Sequence, residues 1–199
     1  MGPVTTPEQL FVHELQDMYY AEKALTQTLP KLAREATDAE LTRAFNSHLK
    51  QTEKHVANLE KVFRQIGKPI QAHPCPGIEG IKKEHDDFMR ESQPTAKMRD
   101  AFLTGAAART EHYEIAAYTG LVNQARALGE REAVELLSKN LKDEKDAAKK
   151  IESISKRLHK AANGRSTTRR SSTRRSTRSR ATTRSRTTSG STRRRTASR

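Results

Sequence analysis

Tryptophan is absent from this sequence, and cysteine occurs once, at Cys75. A lone cysteine cannot close an intramolecular disulfide, which excludes the stapled scaffolds of small secreted domains and fits a reducing compartment. No run approaches the roughly 18 apolar residues that a membrane-spanning helix needs, and the N-terminus lacks the basic-then-apolar pattern of a signal peptide. A soluble cytoplasmic protein with no membrane partner is expected. Aromatic residues make up only 5% of the chain and hydrophobic residues 33% of its 199 positions, and this apolar content is unevenly spread. From Arg165 to Arg199 there is no acidic and no aromatic residue; 13 positions are arginine and most others serine or threonine. Those arginines account for all but one unit of the net charge of +14. The first 164 residues are therefore nearly neutral, and the basic character belongs to the end of the chain.

What is present before that tail reads as helix. Thr6-Pro7-Glu8-Gln9 combines a capping threonine, a proline suited to the first helical position and a capping-box glutamine. Phe11, Leu15, Met18, Leu25, Leu29 and Leu32 then recur at helical spacing, with Pro30 expected to kink the helix or reshape its last turns. A second capping box, Thr37 to Glu40, opens a helix carrying Leu41, Phe45, Leu49, Val56, Leu59, Phe63 and Ile66, stopped by Gly67 and Pro69. A proline-bearing loop from Lys68 to Gly77 leads to a short helix from about Ile78 to Glu91. Two further long helices are expected, from about Thr95 to Leu128 and from about Glu130 to Ala162. No segment alternates with period two for long enough to form a strand. The fold class is all-α: a four-helix bundle over residues 1–163, with a short extra helix in the crossover between the second and third long helices. The proline and glycine stops argue against one extended coiled coil.

Charged residues interrupt the apolar seams at particular places. On the first helix, the inward series 11, 15, 18, 22, 25, 29, 32 puts Glu22 in the core. On the third long helix, the series through Leu103, Ala107, Thr110, Ala117 and Leu121 places Glu114 on the seam, with Glu111 one turn before it. On the fourth, Leu137, Leu141, Ala148 and Ile151 frame Glu144. The second helix is ambiguous. With Thr52 at the centre and about 100° per residue, His48 lies about 40° to one side and Glu53 about 100° to the other. Carboxylates in a dry core need partners or metal. Acids converging from several helices are how bundles build a two-metal site, and oxygen ligands with one or two imidazoles suit iron or manganese. His112 is about 100° off Glu111 and is expected to hydrogen-bond or face a neighbouring helix. His55 reads as a flanking or surface residue. The four tyrosines read as packing residues first, with Tyr118, one turn after Glu114, best placed to be a hydrogen-bonding or redox neighbour. Cys75 reads as a loop residue without an acid-base partner.

The stretches LFVHELQDMYYAEKAL, LTRAFNSHLKQTEKHVANLEKVF, PGIEGI, RTEHYEIAAYTGLVNQARALG and LLSKNLKDEK resemble the YciF/YciE family of ferritin-like bacterial stress proteins over roughly residues 6–160. The resemblance implies a ferritin-like bundle around a dinuclear metal centre, a role in stress response, and a dimer rather than a storage shell. Carried over by position, the ligand candidates are Glu22, Glu53, Glu111, Glu114 and Glu144, with His48 beside them. Ferritin-like sites add a ligand three residues beyond the acid on the second and fourth helices. Here those positions are Val56 and Ala147, leaving Glu111 or His48 to complete the set.

The tail from 164 to 199 has too little apolar area to offset ordering entropy and is expected to be disordered. Its arginines are the expected nucleic-acid contacts, because their planar forks suit phosphates. They are Arg165, Arg169, Arg170, Arg174, Arg175, Arg178, Arg180, Arg184, Arg186, Arg193, Arg194, Arg195 and Arg199. Without aromatics to stack on bases, non-specific nucleic-acid binding is expected, with nucleoid association as its consequence. A membrane surface or another polyanion is the competing partner class. Phosphorylation of the interleaved serines and threonines would cancel the charge. Two function classes follow: a metal-dependent ferroxidase- or peroxidase-like stress protein tethered to DNA, or a metal-free scaffold that binds DNA and dimerises through the bundle.

Overall fold

The computed structural model describes residues 3–163, and the basic tail lies outside them. All the arginines expected to contact nucleic acid are therefore outside the described residues: Arg165, Arg169, Arg170, Arg174, Arg175, Arg178, Arg180, Arg184, Arg186, Arg193, Arg194, Arg195 and Arg199. The described residues form five helices: α1 (Pro7–Glu35), α2 (Ala39–Gln65), α3 (Pro76–Ser92), α4 (Ala96–Ala127) and α5 (Arg131–Ala162). There is no strand among them. Helices α1 and α2 form one hairpin, α4 and α5 another, and the hairpins join through α2 on α5 and α1 on α4. Helix α3 is the short element of the crossover and packs on α4, tied to α1 by Tyr20–Glu79 and His85–Glu35 contacts. None of these helices is long and apolar enough to cross a membrane.

The expected starts and stops are mostly where the local chemistry puts them. Thr6 and Gln9 form the capping box of α1. Gly67 and Gly129 take positive φ values of 67° and 77° just beyond α2 and α4, where a side chain would be strained. Pro30 does not end α1, which continues to Glu35; the core-facing Leu29 and Leu32 hold the helix across the lost hydrogen bond.

The Thr37–Glu40 capping box is not formed. Asp38 caps α2 instead, accepting from the Glu40 and Leu41 amides at 3.1 and 3.0 Å. Thr37 is drawn away by Asp100, whose carboxylate accepts from the Thr37 amide at 2.8 Å and from its hydroxyl. Arg157 of α5 then grips Asp38 with both arms of its guanidinium, at 2.8 and 2.7 Å. That guanidinium, opposed by partial burial and helped by the Leu41 amide, holds the Asp38 carboxyl at about 2. Asp38→Ala should destabilise the bundle by about 1–2 kcal/mol in chemical denaturation. Because the folded value is depressed, the wild-type contribution is present above pH 3.8 and disappears as pH falls through about 2.

Candidate metal centre

The mid-length residues of the four long helices meet in the core. Glu22 of α1, Glu114 of α4 and Glu144 of α5 are completely buried, and Glu111 is 3% exposed. Helix α2 contributes His48, Thr52 and His55, all buried. The seam of α2 steps Leu41, Phe45, His48, Thr52, His55, Leu59, in alternating intervals of four and three, so both imidazoles face inward for the same reason the leucines do.

Two groups of possible ligands result, and they share a residue. His48, Glu111, Glu114 and Glu144 offer atoms all within 4.8 Å of one another, as do Glu22, His55 and Glu144. In the first group His48 Nε2 lies 3.5 Å from Glu111 Oε1 and 3.6 Å from Glu144 Oε2. In the second, His55 Nδ1 is 3.1 Å from Glu22 Oε1 and 2.8 Å from Glu144 Oε1. Only the Glu22 contact has hydrogen-bond geometry; the contact with Glu144 is an ion pair. His55 Nε2 reaches Asp143 at 3.4 Å.

Much of this polarity has no protein partner. Both oxygens of Glu114, both of Glu144, Oε2 of Glu22 and of Glu111, both nitrogens of His48 and the Thr52 hydroxyl are buried without a hydrogen bond. Buried polar atoms are paired in the great majority of cases, and leaving one unpaired costs about 1–3 kcal/mol. Burial, followed by the charges of neighbouring acids, pushes Glu111 and Glu114 well above the usual carboxylate range. Burial also raises Glu22, against the pull of His55. For Glu144, burial is outweighed by the His55 and His48 imidazoles, and its carboxyl is held low. A cation among these oxygens satisfies the orphaned acceptors and removes the like-charge repulsion together. The donor set therefore fits a metal, and binding must displace protons.

His55 carries the one strong internal neutralisation. Burial disfavours its charge, but Glu144 and Glu22 outweigh burial and raise it to about 10. His55→Ala, which strands two buried acids, is expected to cost the metal-free protein about 3–5 kcal/mol. A folded value raised above the ordinary 6.5 means the stabilisation is complete below that pH and is lost as pH rises through about 10. The melting temperature of the metal-free wild type should fall across that interval, and His55→Gln should flatten the slope.

A chain of hydrogen bonds orients Glu22. The Tyr118 hydroxyl donates to Glu22 Oε1 at 2.5 Å, and Asn140 Nδ2 donates to Tyr118 Oη at 2.9 Å. Asn58 in turn donates to Asn140 Oδ1 at 2.8 Å. A cleft of about 480 Å³ between α2 and α5 reaches His48 and Glu111, with Arg43, Glu40 and Lys150 along its walls. It gives access from the surface to His48 and Glu111.

Of the sequence-derived candidates, Glu22, Glu111, Glu114, Glu144 and His48 converge. Glu53 does not: it is exposed on α2 and belongs to neither group. His55 is a core residue rather than a flanking one; extending the phase that placed His48 by two helical turns would have found it. His112 is exposed and its Nδ1 lies 2.8 Å from the Ala108 carbonyl. Tyr118 is the hydrogen-bonding neighbour its position suggested. Cys75 caps α3, is fully buried, and has the Tyr113 hydroxyl 2.8 Å from its sulfur.

The comparisons agree with this architecture. The family model described as "Domain of unknown function (DUF892)" matches residues 6–163. Protein YciF of Escherichia coli (strain K12) is 39% identical over 141 residues, covering 70% of this chain and 84% of that protein. The crystal structure of the E. coli stress protein YciF matches with a TM-score of 0.75 at 36% identity, over 78% of this chain and 98% of that one. YcfI from Rhodopseudomonas palustris matches with a TM-score of 0.74 at 36% identity, over 76% and 96% of the respective chains. A Xanthomonas campestris protein at 22% identity, with a TM-score of 0.66, shares the fold. The bundle is thus ferritin-like, as the sequence motifs implied, and the chain belongs to the DUF892 family, to which the YciF-like resemblance pointed.

Proposed function

We propose that this protein is a stress-response protein whose bundle holds a dinuclear iron or manganese centre and oxidises ferrous iron or consumes peroxide beside DNA, to which its basic tail attaches. The observation that carries the metal reading is the sharing of Glu144 between two buried ligand groups, most of whose carboxylate oxygens lack partners. Glu144 would bridge, His48, Glu111 and Glu114 would hold one ion, and Glu22 with His55 the other. When bound, such ions supply one-electron redox chemistry toward peroxide or dioxygen. The chain's own part is positional. Tyr118 and Asn140 fix Glu22, and the cleft at His48 and Glu111 admits a small oxidant.

The stress role follows the description of the E. coli relative, and the nucleoid location follows the composition of the tail. A homodimer is part of the same proposal. Protein purified without chelator should carry two equivalents of iron or manganese per chain and show peroxide-dependent oxidation of ferrous iron. Chains that hold no metal and leave the ferrous oxidation rate unchanged would favour the metal-free DNA-binding scaffold.

A further inference from the structure

About two and a half turns toward the start of α1 from Glu22, a separate pair of imidazoles meets outside the carboxylate core. His13 sits on α1, and His73 sits in the loop that links α2 to α3. Their ring centroids are 5.3 Å apart with the planes inclined at 62°. The Nδ1 atom of each ring is buried and has no hydrogen-bond partner. One turn along α1, on the same face as His13, Gln16 is 6% exposed and its Oε1 is likewise buried without a partner. The loop is pinned to this place by the His73 amide, which donates to the Gln16 carbonyl at 3.1 Å. A cavity of about 600 Å³ opens beside His13 and Gln16, with Glu8 and Gln71 also on its walls.

We propose that His13 and His73, with the Gln16 side-chain oxygen as a third donor, form a second metal site for a borderline divalent transition-metal ion such as zinc. Two imidazoles bound through nitrogen to one tetrahedral ion, at about 2.0–2.1 Å, place their ring centroids about 5.2 Å apart. The observed 5.3 Å matches that separation. Coordination would also satisfy three buried polar atoms that the fold otherwise leaves unpaired, and the cavity leaves room for water to complete the shell. The donors distinguish this site chemically from the core. Imidazole nitrogen dominates here and suits zinc or copper, whereas carboxylate oxygen dominates around Glu144 and suits harder ions. About 13 Å of helix axis separates His13 from Glu22, so the two sites load independently. By joining α1 to the loop ahead of α3, a bound ion would fasten the crossover onto the bundle.

The test uses the tag-free, metal-stripped full chain titrated with zinc by calorimetry. His48→Ala combined with Glu144→Ala removes donors from both ligand groups of the carboxylate centre, because Glu144 belongs to each; one equivalent of zinc should remain in that background. Adding His73→Ala should abolish it, weakening binding on the order of 100-fold or more as one of two imidazoles is lost. In the otherwise wild-type chain, His73→Ala alone should lower total zinc by one equivalent, whatever the carboxylate centre holds. His73 is a half-buried loop residue, so far-ultraviolet circular dichroism of this variant should match wild type. Zinc stoichiometry unchanged by His73→Ala in the wild-type chain would overturn the proposal. So would a core-disrupted background with no residual equivalent while its helicity is intact.

Discussion

Metal-free Glu114→Gln should melt several degrees above the metal-free wild type, and below it once metal is added. Glu114 is completely buried, and neither of its oxygens has a partner. Burial first, then the charges of Glu144, Glu22 and Glu111, drive its carboxyl well above the ordinary range. At neutral pH the empty fold must keep a proton on this side chain or bury an unpaired charge. An acid whose folded value is raised takes up protons on folding, so its penalty appears as pH rises above the ordinary 4.5. The isosteric amide removes that penalty, a gain of about 1–3 kcal/mol. For a domain of this size each kcal/mol corresponds to roughly 2–4 °C. A ligand that binds only the folded state at about 1,000 times its Kd adds about 4 kcal/mol, and the variant forfeits most of it. Melting curves of both proteins with and without manganese under anaerobic conditions read the crossover directly. Equal metal-induced shifts in the two chains would remove Glu114 from the site.

A chain ending at Asn163 should fail to retard DNA at physiological salt, while the full chain binds. The thirteen arginines after Asn163 carry nearly all of the excess positive charge, and what precedes them is close to neutral. If roughly six to ten phosphates are neutralised, the affinity of the full chain should fall roughly 10³- to 10⁵-fold between 50 and 200 mM salt. The absence of aromatics after residue 164 leaves no stacking platform, so duplexes of unrelated sequence should bind within a few-fold of one another. Fluorescence anisotropy across a salt series measures both quantities. Full retention of binding by the truncated chain would move the DNA contact to the bundle. Metal content should be the same in the two chains, because every proposed ligand precedes Asn163.

These two results bear on separate halves of the proposed function. Loss of metal with intact DNA binding leaves a tethered scaffold. Loss of DNA binding with intact metal leaves a free-standing redox protein. The hydrogen bonds behind the ligands connect the metal question to stability. Tyr118, Asn140 and Asn58 link α4, α5 and α2 behind Glu22, so the same contacts that pack the bundle also aim a proposed ligand.

Local pattern alone makes the helices and most of the core acids readable. A 3.6-residue period is a local property, so a glutamate standing in a leucine position, as Glu22, Glu114 and Glu144 do, is visible without knowing what lies opposite. The capping box at Thr6 and the glycine stops at Gly67 and Gly129 are local in the same sense. Whatever depends on a partner from another helix was settled by packing instead. The rotation of α2 about its axis is one such case; it chose His48 over Glu53 and turned His55 inward. Asp38 displaced Thr37 as the cap because two distant residues compete for these side chains. Asp100 lies 63 positions from Thr37, and Arg157 lies 119 from Asp38, so neither belongs to the local pattern of α2. That Glu144 is shared by two ligand groups, and that His13 meets His73, are facts about distances between helices and loops. Periodicity tells which face of a helix is buried; only the assembled bundle tells which atoms on three such faces come close enough together to share one ion.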